Sequence, residues 1–600
     1  MKRRPLYLLF AFNSFAAAMV ALYIGFAIGL PRPYWAMTTA YIVSQPLSGA
    51  VRSKGVYRII GTALGAGAAL AMVPAFYDSP EILSLALALW VAFCLYMSLL
   101  DRTPRSYVFL LAGFTAAIVA FPVAPDPITI FDVTVARCEE ISLGVICATV
   151  FHSLVFPQAV GPALNQRIQV WTRDARRWAV EVLEGQDPAA HDQERRKLAA
   201  DIIDIRILST QLPFDTSNFK ETSRLIRAMQ DRMSMLLPLM SAVGDRLRLL
   251  RAENRSPPEL EAILTEMETW LADLDGARPQ AEVLIKRLDA LFPKLGENAP
   301  WCDLVLENLL DRLGQFIRTV ADIRDLRHAV EAGSSRMPAT LDQSMPLSAG
   351  AGLHRDHYLA FLSGLAVAVA ILGCCALWIG LSWPEGSVAA LSAAIFCSFF
   401  AFQDDPAPTI SMFLTYIYLS IPIVAAYQFA ILPRIDGFPM LVLALAPAFL
   451  TAGYFIAQPK TSLRALALVL GMCNGLALAE YFSPSFAGFA NTNIAQVVGL
   501  LAALIATQLC RSVGATWSAR RILRTGWREI ASVAEATRPI DRTALAVRML
   551  DRVGLLASRL SNIDPQASPT AADALSDVRV SLNIEELHNL EGGLAGVEGP

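Results

Sequence analysis

The sequence predicts an all-α polytopic membrane protein with two parallel repeats of six transmembrane helices, each followed by a cytoplasmic helical domain. Three observations support this fold class. Hydrophobic residues make up 54% of the 600 residues and charged residues only 17%, whereas soluble domains contain about 25% charged residues. The apolar residues form runs close to the length of about 20 residues that a helix needs to cross a bilayer. Lys and Arg recur at alternate ends of these runs, as they do in cytoplasmic loops.

Twelve apolar runs are the candidate membrane spans. The runs of the first half are residues 6–30, 34–50, 56–77, 82–100, 106–124 and 138–157. Those of the second half are residues 358–381, 386–403, 409–432, 438–457, 463–481 and 492–511. The domain boundaries that follow are 1–160 for a first six-span domain, 161–350 for a cytoplasmic helical domain with its linker, 351–512 for a second six-span domain and 513–600 for a cytoplasmic helical tail.

Basic residues between the runs predict their orientation. In the first half they are residues 2–4, 52, 54, 58, 102 and 105. The opposite loops, residues 77–81 and 124–127, contain neither Lys nor Arg. We therefore expect both termini and both polar regions to be cytoplasmic. A cleaved signal peptide at residues 1–25 is the alternative, but the apolar run continues past Ala16–Ala18, beyond the length of a signal sequence.

The polar region at residues 165–350 predicts a helical bundle. Apolar residues recur at spacings of three and four from Ile226 to Leu250 and from Leu306 to Ile323, which is typical of amphipathic helices. Pro238 inside the first stripe predicts a kink or a division of that helix. A coiled-coil contact with a second subunit is the less favoured alternative, because each stripe is short.

Composition and motifs exclude several classes of function. The net charge of −3 excludes a strongly basic nucleic-acid-binding protein, and the nine cysteines contain no CxxC pair. The sequence has no phosphate-binding GxxxxGK[ST] loop, no HExxH zinc motif and no GxSxG nucleophile motif. We therefore expect no enzymatic activity, no catalytic residues, no cofactor and no metal site.

Polar side chains at the ends of the spans are the candidate functional residues, because charges within a membrane are costly and often line transport pathways. An arginine would bind a substrate anion and a carboxylate would carry a coupling proton. The candidates for substrate binding are Arg58, Arg137, Gln45 and Trp35, and those for proton coupling are Glu139, Glu140, Asp404 and Asp405. The alternatives are that Arg58 reaches the lipid headgroups and that Arg137 forms a structural ion pair with the neighbouring glutamates.

The sequence also resembles the fusaric acid resistance protein family. The motifs that carry the resemblance are residues 33–39, 45–46 and 49–62 in the first half, 137–144 in the sixth run, and 383–386 and 404–406 in the second half. The resemblance implies export of small aromatic carboxylic acids across the bacterial inner membrane, drawing on the proton gradient, with a periplasmic adaptor of the membrane fusion type. It implies no mechanism at the level of individual residues.

Two other functions remain open. A passive organic-anion channel is one, because plant malate channels resemble this sequence in having six spans and a helical cytoplasmic domain. A membrane scaffold or sensor without transport activity, acting through residues 165–350, is the other. The expected partners are the lipid bilayer, a small organic acid, a periplasmic adaptor and further copies of the chain in a homo-oligomer, and no nucleic acid.

Overall fold

The described part of the chain is helical and divides into two compact units. The computed structural model describes residues 4–185, 192–215, 221–273, 278–293, 300–339, 341, 355–403, 405–480, 485–511 and 515–535, with single positions between 545 and 584. These residues form no strand, which confirms the all-α prediction. One unit consists of Met1–Val160, Phe214–Thr216 and Arg355–Val513, and the other of Gly161–Pro213, Ser217–His354 and Gly514–Pro600. We call them the apolar unit and the polar unit.

The helices are given in chain order. The first set is α1 (Arg4–Ala27), α2 (Tyr34–Val43), α3 (Ser48–Phe76), α4 (Pro80–Leu100), α5 (Ser106–Val123) and α6 (Ile130–Leu154). The polar unit contains α7 (Val160–Glu184), α8 (Asp192–Ser209), α9 (Ser223–Ala252), α10 (Pro258–Ala272), α11 (Arg278–Asp289) and α12 (Trp301–Glu331). The second apolar set is α13 (His357–Gly380), α14 (Gly386–Phe399), α15 (Ala407–Ala426), α16 (Phe438–Ile456), α17 (Ser462–Leu476) and α18 (Phe486–Arg511), and α19 (Ala515–Ala534) follows.

Eight of the described helices are long and apolar enough to cross a membrane. They are α1, α3, α4, α5, α13, α15 with its continuation to Arg434, α16 and α18. The other four predicted spans are helical too, but three of them are short: α2, α14 and α17 have 10, 14 and 15 residues. At 1.5 Å per residue they are about 15–23 Å long, less than the thickness of a hydrocarbon core. The sixth span, α6, has 25 residues but carries several charges.

The predicted span at residues 34–50 is longer than the helix that the structure shows there. Helix α2 ends at Val43 and α3 begins at Ser48. The segment between them contains Pro46, which lacks an amide hydrogen and cannot continue a helix. A hydropathy pattern does not detect this interruption because its residues are only weakly polar.

The two apolar sets pack on each other reciprocally. The fourth helix of each set packs on the first helix of the other set, as α4 does on α13 and α16 does on α1. The fifth helix of each set packs on the second helix of the other, as α5 does on α14 and α17 does on α2.

Within each set, a glycine brings the sixth helix onto the second. Gly144 of α6 lies against the Ala36 carbonyl of α2, and Gly499 of α18 lies against the Ala389 carbonyl of α14. A Cβ atom at either glycine would overlap that carbonyl oxygen. Both short second helices are thus held by a helix approach that only glycine allows.

The polar unit is a helical bundle built on its two longest helices. Helices α9 and α12 have 30 and 31 residues and pack along the two predicted apolar stripes. Helix α9 is continuous through Pro238, so of the two predicted effects of this proline, a kink or a division, the division is wrong. The Arg232 guanidinium of α9 lies 3.0 Å from the Asp322 carboxylate of α12, and both side chains are buried. Arg278 of α11 joins the same carboxylate at 3.1 Å, which fixes the register of the three helices.

Candidate functional site

Helix α2 is short and is held by polar groups from other elements. Before its first turn, the Arg32 backbone N–H donates a hydrogen bond to Oε1 of Glu140 at 2.8 Å. At its end, Nζ of Lys54 donates to the Ile42 carbonyl at 2.6 Å. Helix ends leave backbone groups unpaired, and these are costly in apolar surroundings. The Lys54 contact satisfies such a carbonyl, which allows a ten-residue helix to end inside the apolar unit.

Arg137 and Glu140 form a buried pair one turn apart on α6, and each is only 2% exposed. Nη1 of Arg137 lies 3.4 Å from Oε2 of Glu140, and Cζ of Arg137 lies 4.0 Å above the centroid of the Trp35 ring. Within the described residues, Nε and Nη1 of Arg137 and Nε1 of Trp35 donate no hydrogen bond. Buried donors of this kind are costly unless a partner satisfies them. Because Nη1 faces Glu140, the donors available to a ligand are Nε of Arg137 and Nε1 of Trp35.

Arg58 of α3 lies beside this pair and is 3% exposed. Its Nη1 donates to the Tyr107 hydroxyl at 2.9 Å and its Nη2 to Oγ1 of Thr39 at 3.4 Å. Its Nε has no hydrogen-bond partner among the residues that the structure describes. Thr39 follows Trp35 by four residues, so Arg58 and Arg137 contact the same face of α2. The two guanidinium groups are close enough to interact electrostatically.

These residues form one site. We define the α2 site as Trp35, Thr39, Arg58, Tyr107, Arg137 and Glu140. Its two arginines outweigh its single carboxylate, and the nearby Lys54 adds a further positive charge 5.7 Å from the centroid of the Tyr107 ring. A planar guanidinium with free donors binds a carboxylate through charge-assisted hydrogen bonds. Trp35 and Tyr107 place aromatic surface beside those donors, so the site suits an anion that carries an aromatic ring.

The other predicted site residues lie elsewhere. Gln45 is half-buried and lies beyond the opposite end of α2. Glu139 is exposed on α6, although it adjoins Glu140 in the sequence. Asp405 is exposed, and its Oδ1 accepts a hydrogen bond from the Ala407 N–H at 3.2 Å, which is an Asx-turn just before α15. Asp404 lies outside the described residues. Among the described residues, no group of three or more His, Cys, Asp or Glu side chains could hold a metal ion.

Two members of the α2 site were not identified from the sequence. Thr39 could have been found, because it lies four residues after Trp35 and therefore on the same face of α2. Tyr107 gives no such signal, since its contact with Arg58 joins two helices that are distant in the sequence.

A second polar group lies farther along α6. His152 is 6% exposed, and its Nε2 lies 3.0 Å from Oγ of Ser44 and 3.4 Å from Oγ of Ser14. It lines a cavity of about 250 Å³, which we call the His152 cavity. Twelve residues separate His152 from Glu140, which is about 18 Å along a helix.

Comparisons with known proteins cover almost the whole chain. The sequence profile of the fusaric acid resistance protein family matches residues 7–597, which include the entire α2 site. The p-hydroxybenzoic acid efflux pump subunits AaeB of Yersinia pestis (strain Pestoides F) and Yersinia pseudotuberculosis serotype O:1b (strain IP 31758) are each 25% identical to the chain over 531 residues, or 86% of this chain and 77% of theirs. No solved structure matches the chain significantly. The profile match confirms the resemblance in the motifs, and the chain belongs to the fusaric acid resistance protein family.

Proposed function

We propose that the chain is a secondary transporter of the bacterial inner membrane that exports small aromatic carboxylic acids, drawing on the proton gradient. The observation that carries this proposal is the α2 site, where two buried arginines with unpaired donors lie beside aromatic rings in the apolar unit. Membership of the family and the efflux function named for the Yersinia relatives support it. The same comparisons support a transporter and not an enzyme.

The proposed topology has twelve membrane segments in two parallel sets, with both termini in the cytoplasm. The reciprocal packing of the two sets and the equivalent glycines Gly144 and Gly499 support the repeat. The short second helices then correspond to each other, and interrupted helices of this kind line binding sites in many transporters. The Lys and Arg residues at alternate loops support the orientation.

In the proposed binding mode, the substrate carboxylate accepts hydrogen bonds from Nε of Arg137 and from Nε of Arg58, while Nη1 of Arg137 stays in the ion pair with Glu140. The aromatic ring of the substrate packs beside Trp35 and Tyr107. This arrangement satisfies donors that have no partner among the described residues, and it predicts a preference for aromatic over aliphatic acids. Gln45 is proposed to contact the substrate later, beyond the opposite end of α2.

The proposed coupling carboxylate is Glu140. Of the three predicted carboxylates among the described residues, Glu140 is the one that is buried against a site arginine. Its ion pair with Arg137 competes with a substrate carboxylate for the same guanidinium, so proton binding at Glu140 and substrate binding at Arg137 are linked. A passive channel would need no such link, and the coupling measurement therefore separates the two functions.

Two partners complete the proposal. A periplasmic adaptor of the membrane fusion type is supported by the word "subunit" in the names of the relatives. We also propose a homo-oligomer. Crosslinking in intact cells, followed by purification of the full chain, tests both: the expected products are a complex with a periplasmic protein and a complex of identical chains.

Growth in the presence of aromatic acids tests the proposed function. The full chain is expressed in a strain that lacks its own efflux of these acids, and growth is measured across a panel of single-ring aromatic acids. We expect the chain to increase tolerance to 4-hydroxybenzoic acid, and the variant Arg58→Gln to lose this effect. Arg105→Gln is the matched control, because it removes an exposed arginine of the same unit. Unchanged tolerance with well-expressed protein in the membrane would contradict the proposal.

A further inference from the structure

The His152 cavity has the size and lining of a site for a small aromatic molecule. Its volume of about 250 Å³ exceeds the roughly 150 Å³ of a cavity that binds benzene. Aromatic residues on its wall include Tyr7, Phe10 and Phe156, and polar ones include Asn13, His152 and Gln158. The lining contains no Lys, Arg, Asp or Glu among the described residues. In this respect the cavity differs from the positively charged α2 site.

Asn13 provides an unpaired acceptor at this cavity. Its side chain is 3% exposed, and Nδ2 donates to the Val155 carbonyl at 3.1 Å. Only the amide nitrogen can donate to that carbonyl, so the orientation of the amide is fixed. Oδ1 is buried and accepts no hydrogen bond from any described residue. A ligand that brings an O–H donor would satisfy this oxygen.

His152 completes the polar wall. Its Nε2 lies within reach of both the Ser44 and the Ser14 hydroxyls, and its ring centroid lies 5.5 Å from that of Phe10. Ser14 and Ser44 thus fix the imidazole against an aromatic ring. The cavity also includes Pro46, next to the proposed substrate contact Gln45, which places it at the end of α2 opposite to the Arg137–Glu140 pair.

We propose that the His152 cavity is a second binding site for single-ring hydroxylated aromatic acids, about 18 Å from Glu140 along α6, in which the phenolic hydroxyl donates to Oδ1 of Asn13. This inference rests on the proposed function, since it takes the same class of substrate. This distance is longer than a single-ring acid, so one molecule cannot contact both sites at once. The two sites therefore bind the substrate at successive stages of its path. Under the proposed topology, the cavity lies on the cytoplasmic side and serves as the entry site.

Photolabelling of the purified full chain with 4-azidobenzoate tests the cavity without relying on transport. We expect labelled peptides from residues 6–13 or 152–158, and we expect 4-hydroxybenzoate to protect them at about tenfold lower concentration than benzoate, because only the former brings the phenolic donor. Arg105→Gln, which removes an exposed arginine of the same unit, should leave this labelling unchanged. Absence of label from these peptides, or equal protection by both acids, overturns the inference. Correct labelling in a protein that exports nothing refutes the proposed function instead.

Two variants define the site. Ala457→Phe fills the cavity from the end of α16, and Thr451→Phe is the matched control at an exposed position of the same helix. We expect Ala457→Phe to abolish the protected labelling and Thr451→Phe to retain it. In Asn13→Leu, 4-hydroxybenzoate and benzoate should protect the peptides at nearly equal concentrations. Wild-type labelling in Ala457→Phe, or an unchanged difference between the two acids in folded Asn13→Leu, rules out the proposed site.

Discussion

Replacement of Arg137 by glutamine tests the proposed anion site. The substitution removes the guanidinium, whose Nε has no hydrogen-bond partner within the described residues and whose Nη1 is in the ion pair with Glu140. Hydrogen bonds to charged groups contribute about 1.5–3 kcal/mol, and about 1.4 kcal/mol corresponds to a tenfold change in affinity. We therefore expect the half-saturating concentration of 4-hydroxybenzoate to increase by about 10- to 100-fold. Arg137→Lys keeps the charge but not the planar pair of donors, so its increase should be smaller.

The same substitution also affects stability, because it leaves Glu140 buried without its partner. Breaking a buried ion pair by removal of one member destabilises a protein by about 3–5 kcal/mol. The double variant Arg137→Gln/Glu140→Gln removes both charges and should regain most of this stability. Its affinity for the substrate should nevertheless stay low, since the donors are still absent. A recovery of stability without a recovery of affinity separates a binding role of Arg137 from a purely structural one.

The assay combines transport and unfolding measurements. Initial rates in proteoliposomes give the half-saturating concentration, and thermal unfolding of the purified chain gives the stability, with exposed Arg105→Gln as the control. A folded Arg137→Gln protein with the half-saturating concentration of the wild type would refute the anion site. So would a double variant that regains stability and affinity together.

Two further predictions concern packing and acid stability. Gly144→Ala places a Cβ atom against the Ala36 carbonyl and should reduce the yield and the unfolding temperature. The control Gly67→Ala places its Cβ atom in open space and should be neutral or slightly stabilising, as alanine usually is in a helix. Equal unfolding temperatures of the two variants would contradict the packing. Arg251 donates two hydrogen bonds to Glu261, at 3.1 and 2.7 Å, and lowers the pKa of that carboxyl. This pair is partly exposed, so it stabilises the folded state by at most about 1 kcal/mol. The stabilisation is present at pH values above the pKa of glutamate in the unfolded chain, about 4.3. It is lost as the pH falls through the lower pKa of Glu261 in the folded protein. The difference in unfolding temperature between wild type and Glu261→Gln should therefore be present at neutral pH and vanish in acid, and a difference that persists in acid would contradict the pairing.

The helices were largely predictable from the sequence because apolar runs and basic loops are local signals. The ends of the short helices were not. The prediction joined residues 34–50 into one span, whereas α2 ends at Val43. Pro46 interrupts the helix, and Lys54 donates to the Ile42 carbonyl that the helix end leaves unpaired. That contact joins different elements, which a hydropathy pattern does not represent.

The candidate site was predictable only in part. The spacing of Arg137 and Glu140 places them one turn apart, and the structure pairs them. The sequence did not distinguish Glu140 from Glu139, although a rotation of about 100° per residue separates them. Both glutamates have apolar or small residues one turn away on α6, Val135 and Leu143 for Glu139 and Ala136 and Gly144 for Glu140, so no apolar stripe marks the inner face. Their different exposure follows from how α6 packs on α2, which is a property of the folded protein.

Transport against a gradient by the Glu140→Gln variant tests the central claim most directly. The full chain is reconstituted in proteoliposomes with an imposed proton gradient, and both uphill accumulation and downhill flux of 4-hydroxybenzoate are measured. Glu139→Gln is the matched control, because it removes the exposed neighbour on the same helix. The proposed mechanism predicts that Glu140→Gln loses uphill accumulation but keeps downhill flux, while Glu139→Gln keeps both. Uphill accumulation that persists in folded Glu140→Gln would contradict it.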